Sequence, residues 1–302
     1  MAIQLTLEKA AQFLQAAQDV LILTHKSPDG DTLGSGFGLL HALRGMGKRV
    51  WLACSDPIPP RYAYLTGGLT DAVWENGAGI VPQAVVAVDI ADTKLFGEKL
   101  RGFADKVQLC IDHHGSNTGY AQSLLLRPDA AANCELMLDL LEAMGLPLTE
   151  QIANCLYTGL VTDTGCFRHS STTVDSHRAA EKLLQAGADM RMIHRLAFES
   201  VSRGKVALLV EAMQQIRYEL DGRCAILVLP RDRINALGVA DDELEGIAAL
   251  PRQIEGVQVG VTLRQYKSYR GYKVSVRTDG IIDASAICAR LNGGGHRGAA
   301  GC

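Results

Sequence analysis

The chain has 302 residues, of which 47% are hydrophobic and 21% are charged, and its formal net charge is −3. This composition is that of a globular protein rather than a disordered chain, and the length favours two domains. A slightly acidic chain has no general attraction for long nucleic acids. Phosphate recognition would therefore depend on metal ions or on a local basic cluster.

The cysteines and the N-terminal residues indicate a compartment. None of the eight cysteines forms a Cys-x-x-Cys pair, and most lie in apolar segments, which favours reduced thiols over a disulfide framework. The N-terminal sequence MAIQLTLEKAAQF lacks a basic region followed by an apolar run. No stretch approaches the roughly 20 apolar residues of a membrane span. We expect a soluble, cytoplasmic protein without a membrane partner.

The first part of the chain alternates helices with short apolar strands. The pattern predicts helices over 6–17, 32–46 and 132–144, and another that begins after Pro147 and runs towards Thr162. Between them lie the apolar runs VLILTH, VWLAC, AVVAVD and VQLCID, which are typical of buried strands. Such alternation predicts an α/β domain with a parallel sheet covered by helices on both faces.

The last third of the chain has a different pattern. Residues 193–215 are helical but mixed in character and suggest a connector between domains 1–192 and 216–302. A hairpin is expected to turn at Asp221-Gly222. Two further strands, VQVGVTLRQY and YKVSVRT, precede a helix over 284–291 and the glycine-rich run GGGHRGAAG. These elements predict a second, smaller α+β domain.

The segment HKSPDGD, residues 25–31, contains the first group of possible metal ligands. Pro28 and Gly30 favour a tight loop, which would allow His25, Asp29 and Asp31 to converge. Two carboxylates and an imidazole suit Mn²⁺, and also Mg²⁺ or Fe²⁺. The alternative is an ordinary Asp-Gly turn with solvated acids, which leaves the histidine at the end of an apolar strand unexplained.

Further polar residues lie where apolar elements end. Asp89 follows the strand AVVAV and is either a helix N-cap or a ligand at the sheet edge. Asp112, His113 and His114 close the next strand, and one histidine could bind metal while the other meets substrate. Asp163 ends an apolar helix, where the helix dipole disfavours an acid unless a cation offsets the cost. The alternative for Asp163 is a surface helix end.

Open α/β sheets place their ligand crevice at the carboxyl ends of the strands, where most of these residues lie. Together they supply enough ligands for two divalent metal ions if one carboxylate bridges, and two ions can activate water for phosphoryl chemistry. The six expected metal ligands are His25, Asp29, Asp31, Asp89, His113 and Asp163.

The order H-x-x-P-D-G-D, a strand-end Asp, D-H-H and D-T-G resembles the DHH phosphoesterase superfamily, and the GGGH run resembles its associated substrate-binding domain. The chain is similar over nearly its whole length to the NrnA-type group, whose members degrade nanoRNA and dephosphorylate 3′-phosphoadenosine 5′-phosphate (pAp). The resemblance implies a cytoplasmic metal-dependent hydrolase for short RNA or small nucleotides, and a homodimer is left open.

The same resemblance implies a role for each matched residue. His25 and Asp29 would hold one metal, and Asp89 would bridge to a second. The ligands of the second metal would be Asp31, His113 and Asp163. His114 would contact the scissile phosphate or protonate the leaving oxygen. In the second domain, Arg277 would contact substrate phosphate or base, and a terminal phosphate would be gripped by a loop of Gly293, Gly294, Gly295 and His296.

Several functions remain open at this level. A phosphodiesterase for c-di-AMP or pApA would need the same metals, and a family II inorganic pyrophosphatase would use the same kind of metal site in its first domain. A non-catalytic nucleotide sensor would carry a broken ligand set. The basic, aromatic turn that joins the two strands of the second domain could stack a base and attract phosphates, or be a solvated hairpin tip. Its residues are Tyr266, Lys267, Tyr269, Arg270, Tyr272 and Lys273.

Overall fold

The computed structural model describes residues 2–74, 81–244, 246–267 and 270–302. Contacts divide the chain into two compact units, Met1–Glu199 and Ser200–Cys302. Each unit contains one six-stranded sheet, so the expected α/β domain followed by a smaller mixed domain is confirmed. The stretch 193–215, expected as a connector, is divided between the units.

The sheet of the first unit is parallel throughout, with the order β1-β6-β5-β4-β2-β3. Its strands are β1 (Ile3–Gln4), β2 (Asp19–Leu23), β3 (Arg49–Ala53), β4 (Ala84–Val88), β5 (Leu109–Asp112) and β6 (Ser123–Leu126). Four of them match the apolar runs in the sequence. The two at one edge, β1 and β6, were not predicted, because strands of two and four residues give little periodic signal. Strand β5 is as short as β6, but Asp112 and the two histidines after it marked its end.

The helices of the first unit follow the sequence closely. Within the described residues they are α1 (Leu7–Ala16), α2 (Gly30–Gly45), α3 (Gly97–Leu100), α4 (Asn133–Ala143), α5 (Glu150–Asp163), α6 (Val174–Gln185) and α7 (Met190–His194). The expected start of the second helix at residue 32 is wrong by two residues. Asp29 accepts hydrogen bonds from the backbone N–H groups of Asp31 and Thr32, so the helix begins at Gly30.

Both faces of the parallel sheet are covered, as expected. Ile22 and Val86 face a large apolar core that includes side chains of α1, α2, α4 and α5. The alternate residues, such as Leu23 and Val85, face a smaller core built around Phe96 and the short helices near it. Burial on both faces explains why these strands are apolar at almost every position.

Helices α2 and α5 pack backbone against backbone because glycines lie at their crossing. A Cβ atom on Gly34 would lie 2.5 Å from the backbone oxygen of Cys155. A Cβ atom on Gly159 would overlap the sulfur of Cys134. This close approach brings the first turn of α2, which carries Asp31, close to the C-terminal part of α5.

The second unit is built on a mixed sheet with the order β11-β12-β10-β9-β8-β7, in which only β8 and β9 are parallel neighbours. Its strands are β7 (Arg217–Glu219), β8 (Cys224–Leu229), β9 (Val259–Gln265), β10 (Tyr272–Thr278), β11 (Gly294–His296) and β12 (Ala299–Gly301). Its α-helices, within the described residues, are α8 (Arg203–Gln214), α9 (Arg231–Ala236) and α10 (Ala284–Ala289). The predicted hairpin is confirmed, since Asp221 and Gly222 join β7 to β8 with positive φ angles of 55° and 82°.

The glycine-rich run differs from the sequence prediction. We expected a loop, but Gly294–His296 is a strand, and it pairs antiparallel with Ala299–Gly301. The sequence signal was misleading because glycine weakens most strands. Here, however, a Cβ atom on Gly295 would lie 2.6 Å from the Cα atom of Ala300, so the close approach of the two strands requires glycine.

All eight cysteines are free, as expected for thiols outside a disulfide framework. Among the described residues, no helix combines the length and the apolar character needed to cross a membrane.

The helix crossing predicts a local sensitivity to added volume. Gly34→Ala should destabilise the protein by about 1–3 kcal/mol, because the new methyl group would press on the backbone of α5. Gly45→Ala, in the same helix with no atom within 4 Å of the new Cβ, should leave stability unchanged or slightly raised. Urea denaturation measures both, and an unchanged midpoint for Gly34→Ala would contradict the packing described here.

Candidate active site

The polar residues predicted as ligands lie at the carboxyl edge of the parallel sheet. Asp89 directly follows β4, and His113 directly follows β5. His25 lies two residues beyond the end of β2, which pairs with β4. Because β2, β4 and β5 are adjacent, these three side chains meet above the same edge.

Three groups of possible metal ligands meet at this edge: His25, Asp29 and Asp89; Asp31, His113 and Asp163; and Asp89, His113 and His114. In the first, His25 Nε2 lies 3.6 Å from Asp29 Oδ1 and 3.6 Å from Asp89 Oδ2. The second consists of Asp31, His113 and Asp163, with His113 Nε2 at 3.7 Å and 3.6 Å from the two carboxylates. Asp89 Oδ1 also lies 3.6 Å from His113 Nε2. The structure thus brings together all six residues predicted as metal ligands.

Hydrogen bonds orient the two histidines that belong to these groups. His25 Nδ1 lies 2.8 Å from the carbonyl oxygen of Lys26, and His113 Nδ1 lies 3.0 Å from that of Ala130. A carbonyl oxygen can only accept, so each Nδ1 carries a proton and donates it. In the neutral ring, Nε2 then keeps its lone pair and faces the carboxylates, which is the tautomer that binds a metal ion.

Asp31 is held by the start of another helix. The backbone N–H groups of Asn133 and Cys134, in the first turn of α4, donate to its two carboxylate oxygens at 2.6 and 3.0 Å. Helix N-termini favour negative charge, so this contact stabilises the carboxylate, which is only 1% exposed. Because both donors are backbone groups, no residue type in the sequence marked this contact, and it was not predicted.

The backbone of Asp89 is also unusual. Its φ angle is 59°, in the left-handed region that aspartate and asparagine enter more readily than most residues. It does not cap the following helical turn, since Asp92 accepts the hydrogen bond from Lys94 N there. The helix-cap alternative for Asp89 is therefore wrong, and its side chain is free to project over the sheet edge.

The buried acids shift one another's pKa values and the pKa of a neighbouring histidine. Burial, together with the charges of Asp31 and Asp89, raises the pKa of Asp163 to about 9. Burial and the charge of Asp31 raise the pKa of Asp89 to about 7. Burial lowers the pKa of His25, but hydrogen bonds and attraction from Asp29 and Asp89 outweigh that effect and raise it to about 11. The site therefore favours positive charge strongly.

One unpartnered atom indicates what would supply this positive charge. Asp89 Oδ1 is buried and has no hydrogen-bond partner. A buried carboxylate oxygen without a partner is costly, and a cation between the two ligand groups would satisfy it. The donor set of carboxylate oxygens and imidazole nitrogens suits Mn²⁺, Mg²⁺ or Fe²⁺. The residues present therefore fit divalent metal ions.

His114 is oriented differently from His113. Their rings lie 4.5 Å apart at 63°, and His114 Nδ1 contacts Asp112 Oδ1 at 2.8 Å. Burial lowers the pKa of His114, but the hydrogen bond to Asp112 and the charge of Asp89 raise it to about 9. Asn117 donates to the other oxygen of Asp112 at 2.5 Å. The arrangement leaves His114 Nε2 available to a ligand and protonated at neutral pH.

Asp112 and Asn117 were not predicted as site residues. Asp112 is completely buried and accepts from the backbone N–H groups of His113 and His114, so it shapes the turn that presents both rings. Thr32 has a similar role, because its hydroxyl accepts from His25 N and donates to the carbonyl oxygen of Val88. Asp112 is the first residue of the D-H-H motif, whereas the only sequence signal for Asn117 and Thr32 was their position near the ligands.

Two of the predicted substrate residues of the second unit, Arg277 and His296, lie in one row of its sheet. Arg277 in β10 pairs with Ala299 in β12, which pairs in turn with His296 in β11. A Cβ atom on Gly293 would overlap the backbone of Gly301 and Cys302, whereas Gly294 has open space on its Cβ side. The side chain of His296 and the whole of Tyr269 lie outside the part that the structure describes.

Comparisons with known proteins agree with this geometry. The family model "DHH family, N-terminal domain" matches residues 19–160, and "DHHA1 domain" matches residues 222–302. The bifunctional oligoribonuclease and PAP phosphatase NrnA of Thermus thermophilus is 32% identical over 96% of this chain and 86% of its own length.

Two further proteins are informative. The cyclic-di-AMP phosphodiesterase GdpP of Geobacillus thermodenitrificans is 27% identical over 94% of this chain but only 44% of its own length. An exopolyphosphatase-related protein from Bacteroides fragilis has the same fold, with a TM-score of 0.87 at 23% identity over 98% of this chain and 89% of that one. The chain therefore belongs to the DHH family of phosphoesterases.

Proposed function

We propose that this phosphoesterase hydrolyses short oligoribonucleotides and pAp by two-metal activation of water. The observation that carries the proposal is the pair of ligand groups that meet at Asp89. The similarity to the Thermus NrnA, which is named for both activities, supports this choice of substrates.

The proposed ligands follow from the distances. His25 and Asp29 would hold one ion, and Asp89 would bridge the two. The second ion would be held by Asp31, His113 and Asp163. We propose Mn²⁺ as the ion, with Mg²⁺ or Fe²⁺ as alternatives. When bound, two such ions neutralise charge on the phosphate and lower the pKa of a water molecule.

His114 is the proposed general acid. Its Nδ1–H donates to Asp112, which fixes the ring and stabilises the imidazolium. The proton on Nε2 can then pass to the ester oxygen that leaves the phosphorus, so the leaving group departs as a neutral hydroxyl. Asn117 holds Asp112 in place through the opposite carboxylate oxygen.

The second unit is the proposed substrate-binding part. Arg277 lies on a sheet face bordered by the glycine-rich strand, and guanidinium groups suit phosphate oxygens. Backbone N–H groups of Gly294 and Gly295 could approach an anion closely, since no side chain intervenes. The N–H group of Gly293 donates to the carbonyl oxygen of Cys288, so Gly293 is proposed to contribute through its small size. His296 is proposed to belong to the same phosphate site.

The alternatives differ in substrate more than in chemistry. A c-di-AMP or pApA phosphodiesterase is the second candidate, favoured by the similarity to GdpP. An inorganic pyrophosphatase is less favoured, because the GGGH run and the basic, aromatic turn of the second unit suit a nucleotide better than a bare diphosphate. A nucleotide sensor is less favoured because all six expected ligands come together. The homodimer and the cytoplasmic location stay predictions.

The substrate choice can be tested directly. With Mn²⁺ present, kcat/KM should be highest on a short RNA and pAp when compared with pApA, c-di-AMP and pyrophosphate. Arg277→Gln should mainly raise KM, because Arg277 is proposed to bind phosphate away from the reacting bond. Pyrophosphate as the best substrate would refute the nucleotide assignment, and inactivity on all five would favour the sensor.

Removal of the bridging carboxylate should abolish activity. Asp89→Asn keeps the shape of the side chain but removes its negative charge, so kcat/KM should fall on the order of a thousandfold or more on every substrate. Bound Mn²⁺, measured by elemental analysis, should fall in parallel. Asp92→Asn is the matched control, since Asp92 caps a nearby helical turn outside the ligand groups. Near-normal rates for Asp89→Asn would refute its assignment.

Metal affinity should depend on pH. The raised pKa of Asp163, about 9, means that the free protein holds a proton there at neutral pH, and a metal ion must displace it. Affinity for Mn²⁺ should therefore increase from pH 6 to pH 9, with proton release on binding. Calorimetry in buffers of different ionisation enthalpy measures both quantities. A constant affinity across this range would contradict the assignment of Asp163 as a ligand.

A further inference from the structure

One face of the second sheet carries a row of cations. Lys273 and Arg277 are four residues apart in β10, so their side chains leave the same face. Arg264 in β9 lies directly opposite Lys273. Four residues of strand span about 13 Å, which is wider than one phosphate group.

A fourth cation lies over the same face. Gly260 in β9 is directly opposite Arg277, so a Cβ atom there would point to the face of the cations. That Cβ atom would lie 2.6 Å from the backbone nitrogen of Arg252 and 2.9 Å from its Cβ atom. Arg252 therefore covers Gly260 beside Arg277. Its Nε atom is buried and has no hydrogen-bond partner.

These cations are not neutralised by acids. In the described part of the chain, none of the four forms an ion pair, whereas Arg231 and Arg233 of the same unit pair with Asp241 and Glu211. Burial, together with the charges of Arg264 and Arg277, lowers the pKa of Lys273. Adjacent like charges are unfavourable, so the row would be stabilised by a bound anion.

The face is open to a ligand on the side of the glycine-rich strands. The residues of β12 opposite Ser275 and Arg277 are Gly301 and Ala299, and neither carries a side chain larger than a methyl group. On the other side, the row borders the 3₁₀ helix Ile247–Gln253, which contains Arg252. The four cations thus form a basic strip that is bordered on one side by small residues only, and an extended polyanion can lie along it.

We propose that Arg252, Arg264 and Lys273 extend the phosphate site at Arg277, so that the second unit binds two successive phosphate groups of an oligonucleotide. This inference rests on the proposed function and makes its substrate class more specific. A terminal phosphate carries a charge of about −2 at neutral pH, which four cations exceed. An oligonucleotide adds the charge of a second phosphate, whereas pAp has only one phosphate besides the one being hydrolysed.

The experiment compares two substrates on matched variants. KM is measured for pAp and for 5′-phosphorylated triadenylate, with Mn²⁺, on the wild type and on Lys273→Gln, Arg264→Gln and Arg252→Gln. Arg217→Gln is the control, because Arg217 lies exposed in the edge strand β7 of the same unit. Lys273→Gln and Arg264→Gln should each raise KM for the triadenylate at least about fivefold more than KM for pAp, whereas Arg252→Gln, beside Arg277, should raise KM for both substrates. The salt dependence of log kcat/KM on the triadenylate should weaken by about 0.7 per lost phosphate contact.

The outcomes separate this inference from the proposed function. Equal effects of Lys273→Gln and Arg264→Gln on both substrates, or an Arg217→Gln effect as large as theirs, would overturn the second phosphate position. If the wild type hydrolyses neither substrate, the proposed function fails, and fluorescence anisotropy with labelled triadenylate then decides the inference alone. Binding that weakens in the three variants but not in Arg217→Gln would support it, and unchanged binding would overturn it. Thermal melts of all variants exclude unfolding as the cause.

Discussion

The repulsion among buried carboxylates at the sheet edge is the constraint on which the rest of the first unit depends. Asp31, Asp89 and Asp163 lie too close together to be charged simultaneously without compensation, and all three of their pKa values rise accordingly. The fold tolerates this only because helix N-termini, histidines and the proposed cations offset the charge. The same arrangement that costs stability in the free protein creates the affinity for metal.

The backbone geometry brings these charged side chains close together. Glycines at the crossing of α2 and α5 let two helices approach closely, although each glycine weakens its own helix. The left-handed φ angle of Asp89 turns its side chain over the sheet edge. The backbone therefore adopts locally unfavourable conformations where the site requires them, as is common at functional sites.

The sequence was most informative where chemistry and periodicity agree. The strand ends at Asp89 and His113 were predictable, because apolar runs that stop at a polar residue mark the edge of a parallel sheet. The hydrogen bonds from α4 to Asp31 were not, since they join residues about a hundred positions apart. The strand formed by Gly294–His296 was missed for a different reason, because its pairing depends on close approach to β12 rather than on β propensity.

The ligand groups have a thermodynamic consequence. Their members come from separate segments of the first unit, so an unfolded chain would offer no comparable set of ligands, and cation binding and folding become linked. A ligand at a hundredfold excess over its dissociation constant adds about 2.7 kcal/mol to the free energy of unfolding. Resistance of this unit to heat and proteases would then follow the supply of the ion, and scarcity of the ion would lower the amount of folded protein as well as its turnover.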